Sequence, residues 1–181
     1  MAEIILQRYA DFEAAPELTT HRLRLRPHVF EDFAALEAMF QSERSRYMGG
    51  PLPRKTVWGM FSDSVGQWPL IGMGTWAVEH KSDGVTVGEV GICRPPHYPE
   101  PELGWYLIDG FEGRGYATEA AAAALAFAAR TYALESLVSY IDPDNQRSID
   151  LALRLGGVRD PDARTPDDGG CLVYRHRLQR E

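Results

Sequence analysis

Leu103-Gly104-Trp105-Tyr106-Leu107-Ile108, then Asp109-Gly110-Phe111-Glu112-Gly113-Arg114-Gly115, then Tyr116-Ala117-Thr118-Glu119 and five alanines read as strand, glycine turn and helix in one phrase. The first six residues suit a pleated surface, and the alanine run has the strongest helix propensity of any residue type. Between them, Gly113 and Gly115 permit a sharp turn and carry no Cβ to keep a ligand away from the backbone. The first N–H groups of a helix lack internal acceptors, and its aligned peptide dipoles place about half a positive charge there. A phosphate group satisfies both, with Arg114 available at the rim. A dinucleotide fingerprint would need a glycine where Thr118 stands, and no Gly-Lys-Ser or Gly-Lys-Thr of a Walker loop occurs.

Working outward, the proline-laden stretch from Arg94 to Glu102 leads back to two β-rich runs, Thr75 to Glu79 and Val85 to Cys93. Asp83-Gly84 between them favours an antiparallel hairpin. Leu23-Arg24-Leu25-Arg26 alternates apolar and basic residues, a half-buried strand that Pro27 ends. Phe33, Leu36, Met39 and Phe40 recur at helical spacing behind Glu31-Asp32, acids well placed at a positive helix end. Residues 41–74 read as a loop with an irregular helix, the kind of segment that lines a substrate. Downstream come a strand from Ser136 to Ile141, a turn at Asp142-Pro143-Asp144-Asn145 with Asn145 as N-cap, and a helix ending at Gly156-Gly157. The run from Cys171 to Leu178 is the last strand. This order predicts an α/β (α+β) fold: a mixed, mostly antiparallel sheet of about seven strands flanked by helices. Residues 1–20 read as an N-terminal tail and 21–181 as a single domain.

Three blocks sharpen the reading: Glu102-Leu103-Gly104-Trp105-Tyr106-Leu107, Gly113-Arg114-Gly115-Tyr116-Ala117-Thr118-Glu119-Ala120, and Asp142-Pro143-Asp144-Asn145-Gln146-Arg147-Ser148. In order and spacing they resemble the GNAT superfamily of N-acetyltransferases, especially the branch with the ribosomal-protein-alanine N-acetyltransferases. The resemblance extends from about Thr20 to Leu178. It implies that acetyl-CoA is the co-substrate and that a splayed strand pair holds it. Pantetheine then pairs with free backbone near Leu107, whose amide polarises the thioester carbonyl, and the diphosphate lies on Gly113, Arg114, Gly115, Tyr116, Ala117 and Thr118. Asn145 contacts the pantetheine arm and Ser148 faces the thioester sulfur. Two positions depart from the family pattern. Glu112 stands where a Gln or Arg is usual, so it is expected to turn to solvent, and replacing it should hardly weaken coenzyme binding. The family's tyrosine acid, four residues after Ser148, is here Ala152.

A weak acid suffices in its place, because a thiol with a pKa near 8.5 leaves readily. The attacking amine must be uncharged. At pH 7 that costs about 4.6 kcal/mol for a lysine but only about 1 kcal/mol for an α-amine. Glu102, opening its strand, is the candidate base, with Glu89 as the second, while His97 is left unassigned. The expected acceptor is a primary amine, on a small molecule or a protein N-terminus. A non-catalytic acyl-CoA sensor is the alternative that Ala152 and Glu112 suggest, and a nucleotide-phosphate domain is a more remote one.

With 26 acidic and 19 basic residues the net charge is −7, and no Lys/Arg run interrupts it, so nucleic acid and anionic membrane are poor partners. Cys93 and Cys171 are too separated for a zinc site or a disulfide framework and suit core thiols in a reducing compartment. No metal is expected. The acidic N-terminus has no secretory signal and no stretch is long enough to span a bilayer, so a cytoplasmic location is expected, as monomer or homodimer.

Overall fold

The computed structural model describes residues 9–166 and 170–179. Its strands are β1 (Leu18–Thr19), β2 (Leu23–Arg26), β3 (Gly74–His80), β4 (Thr86–Cys93), β5 (Glu102–Leu107), β6 (Ser136–Ile141), β7 (Val158–Arg159) and β8 (Leu172–Arg177). They form one sheet in the order β1-β2-β3-β4-β5-β6-β8-β7. The eighth strand beyond the expected seven arises at the sheet margins, where β1 and β7 have two residues each, too short to carry an alternating pattern. Every neighbouring pair is antiparallel except β5–β6.

Helices α1 (Asp32–Phe40), α2 (Arg54–Ile71), α3 (Tyr116–Thr131) and α4 (Gln146–Arg154) flank the sheet, with a 3-10 helix at Glu43–Met48. The alanines of α3 permit a close approach: Ala120, Ala121, Ala124 and Ala128 pack with Leu23, Trp76, Val87, Val90 and Leu103 in the main core. Phe33, Leu36 and Phe40 of α1 meet Val57 and Phe61 of α2 in a second cluster that includes Tyr106. The irregular helix expected in residues 41–74 is instead a continuous helix of 18 residues. Val57, Phe61, Trp68 and Ile71 fall on one buried face, and Gly72, at φ 74°, caps it in the left-handed conformation.

The stretch expected as a tail also differs where it is described; residues 1–8 lie outside the described residues. From Tyr9 onward the chain is a packed arm. Ala15 is buried in the main core, with Tyr9 and Phe12 packed against it. Tyr9 N donates to Ile71 O at 2.7 Å, and Trp76 Nε1 donates to Pro16 O at 2.7 Å. Among the described residues, no helix is long and apolar enough to cross a membrane.

Candidate active site

The parallel strands β5 and β6 share a single register pair, Glu102 with Val138. Beyond it they part. Ser139 Oγ donates to Leu103 O at 2.7 Å, so a side chain takes the place of the next rung. On its other edge β5 stays paired with β4 from Glu102 to Leu107. Ile108 N donates to Val87 O at 2.9 Å, and backbone direction alternates along a strand, so the Leu107 and Trp105 backbone groups face the gap instead. The carboxyl ends of both strands lead directly into helix N-termini, α3 through residues 108–115 and α4 through 142–145. Two positive helix ends thus flank the open end of a diverging parallel pair, where ligands collect in α/β sheets.

At the first of these ends, Gly113 and Gly115 have φ of 73° and 79°, the left-handed conformations their positions require. Gly115 is the N-cap of α3 and no side chain caps the helix there. The Tyr116 side chain is buried, with its hydroxyl 3.2 Å from His80 Nε2 and the Arg22 guanidinium 4.7 Å from the ring centroid. Only its backbone can therefore serve a ligand. Arg22 braces the turn through the Arg114 carbonyl at 2.9 Å and Glu119 Oε2 at 2.7 Å. Ala117 and Thr118 follow, half-buried, in the first helical turn. Glu112 does not point to open solvent. Its carboxylate pairs with Arg44 and accepts from Gly110 N at 3.0 Å. Burial opposes its ionisation, but backbone N–H groups and the Arg44 charge outweigh burial and hold its pKa below the ordinary value.

At the second end, Asn145 Oδ1 accepts from Ser148 N at 3.3 Å and caps α4, which leaves the amide nitrogen as a donor. Ala152 is fully buried beside Ile141, Ile149 and Tyr174, so that helical position faces the core.

Glu102 lies at the closed end of the gap. Burial pushes its pKa up to about 7, against the opposing contacts of Tyr140 N, at 3.5 Å, and the Tyr98 side chain. Tyr98 and Tyr140 meet edge to face at 5.5 Å, and His97 packs on Tyr98 at 4.8 Å. The cross-strand pairs Cys93–Glu102, Gly91–Gly104 and Glu89–Tyr106 place Glu102 and Glu89 on one face of the sheet. Their surroundings differ. Glu89 Oε2 is 3.0 Å from His28 Nε2, which also lies 3.1 Å from Thr75 Oγ1, while His28 Nδ1 is 3.7 Å from Asp32. Burial alone would depress the His28 pKa, but the two carboxylates outweigh it and raise it to about 9, so Glu89 faces an imidazolium at neutral pH. The Cys93 thiol is pushed well above its ordinary value by burial, then by Glu102, Glu89 and Asp63, and so carries little thiolate. Among the described residues, no group of three or more His, Cys, Asp or Glu is placed to hold a metal ion.

Three elements of this site escape sequence reasoning. Arg44 reaches Leu107 O across a sequence separation of 63, and Tyr140 reaches Glu102 through a crossover connection. The clustering of prolines beside His97-Tyr98 is the one local sign of the third, the aromatic wall around Glu102.

The GNAT acetyltransferase domain model matches residues 22–158, and the chain belongs to that family; it is an acyltransferase. It is similar to a solved acetyltransferase from Agrobacterium tumefaciens, with 41% identity and a TM-score of 0.86, covering 93% of this chain and 98% of that one. It is also similar to the uncharacterized YkkB of Bacillus subtilis, at 26% identity over 147 residues, 79% of this chain and 86% of that protein. RimL, a ribosomal-protein α-N-acetyltransferase solved in complex with coenzyme A, shares the fold at 15% identity and a TM-score of 0.71, covering 92% of this chain and 98% of that one.

Proposed function

We propose that this protein transfers an acetyl group from acetyl-CoA directly to a primary amine in a ternary complex, with Glu102 as general base. The observation that carries the reading is the one-register pairing of β5 with β6, with helix N-termini at its open end and a carboxylate raised to about 7 at its closed end. The diphosphate lies on the backbone of Gly113 to Thr118, and pantetheine enters the gap as an added strand beside Leu107, with the Asn145 amide donating to it. The strand rise sets the position of the thioester. Leu107 is five residues, about 16 Å, from Glu102, so one carbonyl cannot meet both. Leu103 O is taken by Ser139, which leaves the Trp105 backbone as the first open rung. The Trp105 amide therefore replaces one near Leu107 as the polarising donor, and Leu107 keeps its place beside the pantetheine arm.

Chemistry then follows by addition and elimination, with no covalent acetyl-enzyme. Glu102 takes a proton from the ammonium, directly or through water, and the free amine attacks the thioester carbonyl. The tetrahedral intermediate collapses, expelling the coenzyme thiolate toward Ser148, and the surplus proton on the former amine nitrogen passes through water to that thiolate, leaving an amide and free coenzyme thiol. A base near pKa 7 is matched to an α-amine near 8, which favours a protein N-terminus or a similarly weak amine over lysine. RimL, an α-N-acetyltransferase of a ribosomal protein, has an acceptor of that kind. Thiol release from acetyl-CoA across peptide α-amines, polyamines, aminoglycosides and small amines tests the reading. Turnover with an α-amine, lost in Glu102→Gln, is expected. Tight coenzyme binding with no turnover on any amine would establish a sensor instead, and trapping of acetyl-Cys93 would overturn direct transfer.

A further inference from the structure

We propose that Arg44 is a contact for the coenzyme diphosphate, delivered from the helical layer over the acceptor side of the sheet and held at the turn by Glu112. This rests on the coenzyme reading above. Arg44 Nη2 donates to Leu107 O at 3.2 Å, on the edge of β5 that faces the gap. Its Nη1 pairs with Glu112 and lies 3.2 Å from Asp109 Oδ1. Its Nε is buried without a hydrogen-bond partner among the described residues, an unsatisfied donor that becomes available to a ligand once the side chain turns.

Charge explains the arrangement. The turn carries Asp109, Glu112 and Arg114, a net negative segment at the place where an anion is to dock. Arg44 supplies the cation that position 112 does not. A diphosphate arriving at the start of α3 competes with the Glu112 and Asp109 carboxylates for a fork-shaped donor that suits phosphate oxygens. The side chain can turn while its backbone stays fixed. Neighbouring Ser45 is fully buried and donates to Phe40 O and Ser42 O, each at 2.8 Å, and a Cβ on Gly50 would come within 1.8 Å of Ser45 Oγ. Phe40 in turn meets the Tyr106 ring at 5.4 Å. Diphosphate capture by Arg44 would thus tie the α1–α2 layer to the coenzyme turn.

Calorimetric titration of coenzyme A, 3′-dephospho-coenzyme A and acetylpantetheine into the parent, Arg44→Ala, Arg44→Lys and Glu112→Gln tests the proposal. Arg44→Ala should weaken both diphosphate ligands by about tenfold or more and leave acetylpantetheine unchanged. Glu112→Gln should tighten the diphosphate ligands a few-fold, because it releases the guanidinium. Arg44→Lys, which keeps the charge but not the fork, should fall between, and it carries the test if the alanine variant does not fold. Equal weakening of all three ligands in the Arg44 variants would make Arg44 a mere brace for Leu107 and overturn the proposal. So would loss of affinity in Glu112→Gln matching Arg44→Ala, or an effect confined to coenzyme A with its 3′-phosphate. A parent that binds none of the three ligands would overturn the coenzyme reading itself, and the proposal with it.

Discussion

Glu102 is a half-buried acid whose neutral form is favoured until about pH 7, so its fraction available as base rises through that pH and levels off above it. For an acceptor whose own titration is known, kcat/KM should show a rising limb near 7. Glu102→Gln should abolish that limb and lower kcat/KM by about 100-fold, as steady-state pH profiles would show. Ser148→Ala should cost less, about tenfold in kcat, because the leaving thiolate needs little help. Glu102 is legible in the sequence because an acid opening an apolar strand is conspicuous. Its raised pKa is not legible, since burial by Tyr98 and Tyr140 depends on a proline loop and a distant strand meeting. Glu89 shows the converse: it interrupts its strand just as visibly, yet its partner His28 is fixed only by tertiary packing.

Among the elements, the first turn of α4 carries two duties on one side chain. Asn145→Ala removes the cap, which should cost about 1 kcal/mol in thermal or denaturant unfolding, and should also weaken coenzyme A binding measured by titration. A loss of stability with unchanged affinity would confine Asn145 to capping. The layer formed by β2, α1 and β4 is held by His28 between Asp32 and Glu89. A histidine raised from its ordinary value to about 9 contributes fully below about 6.5, and that contribution is lost as pH rises through about 9. Melting temperature should therefore fall across that interval, and the fall should flatten in His28→Gln. Elements with undiluted patterns, such as the alanine helix and the strand before it, are legible from sequence. Helix α2 is not, because Gly59, Gly66 and its serines thin the apolar stripe that tertiary packing on Trp76 and Phe33 completes.

At the scale of the molecule, the N-terminal arm closes over the end of α2. Gly72 sits at φ 74° with Ala10 backbone so near that a Cβ would come within 2.2 Å of it. Gly72→Ala should both strain the cap and lift the arm, lowering the melting temperature by about 3 °C or more in calorimetry. The arm is invisible to periodicity, since Tyr9, Phe12 and Ala15 pack without regular structure. The sheet itself is two plates, five strands and three, whose strands share a single register pair, Glu102 with Val138, supplemented by the Ser139–Leu103 hydrogen bond, the Glu100–Arg175 ion pair and the α3 crossover. A pantetheine strand laid between them is then a structural member as much as a substrate. Saturating coenzyme should slow amide hydrogen exchange in β6 and β8, out to Val173 and Arg175 beyond ligand contact.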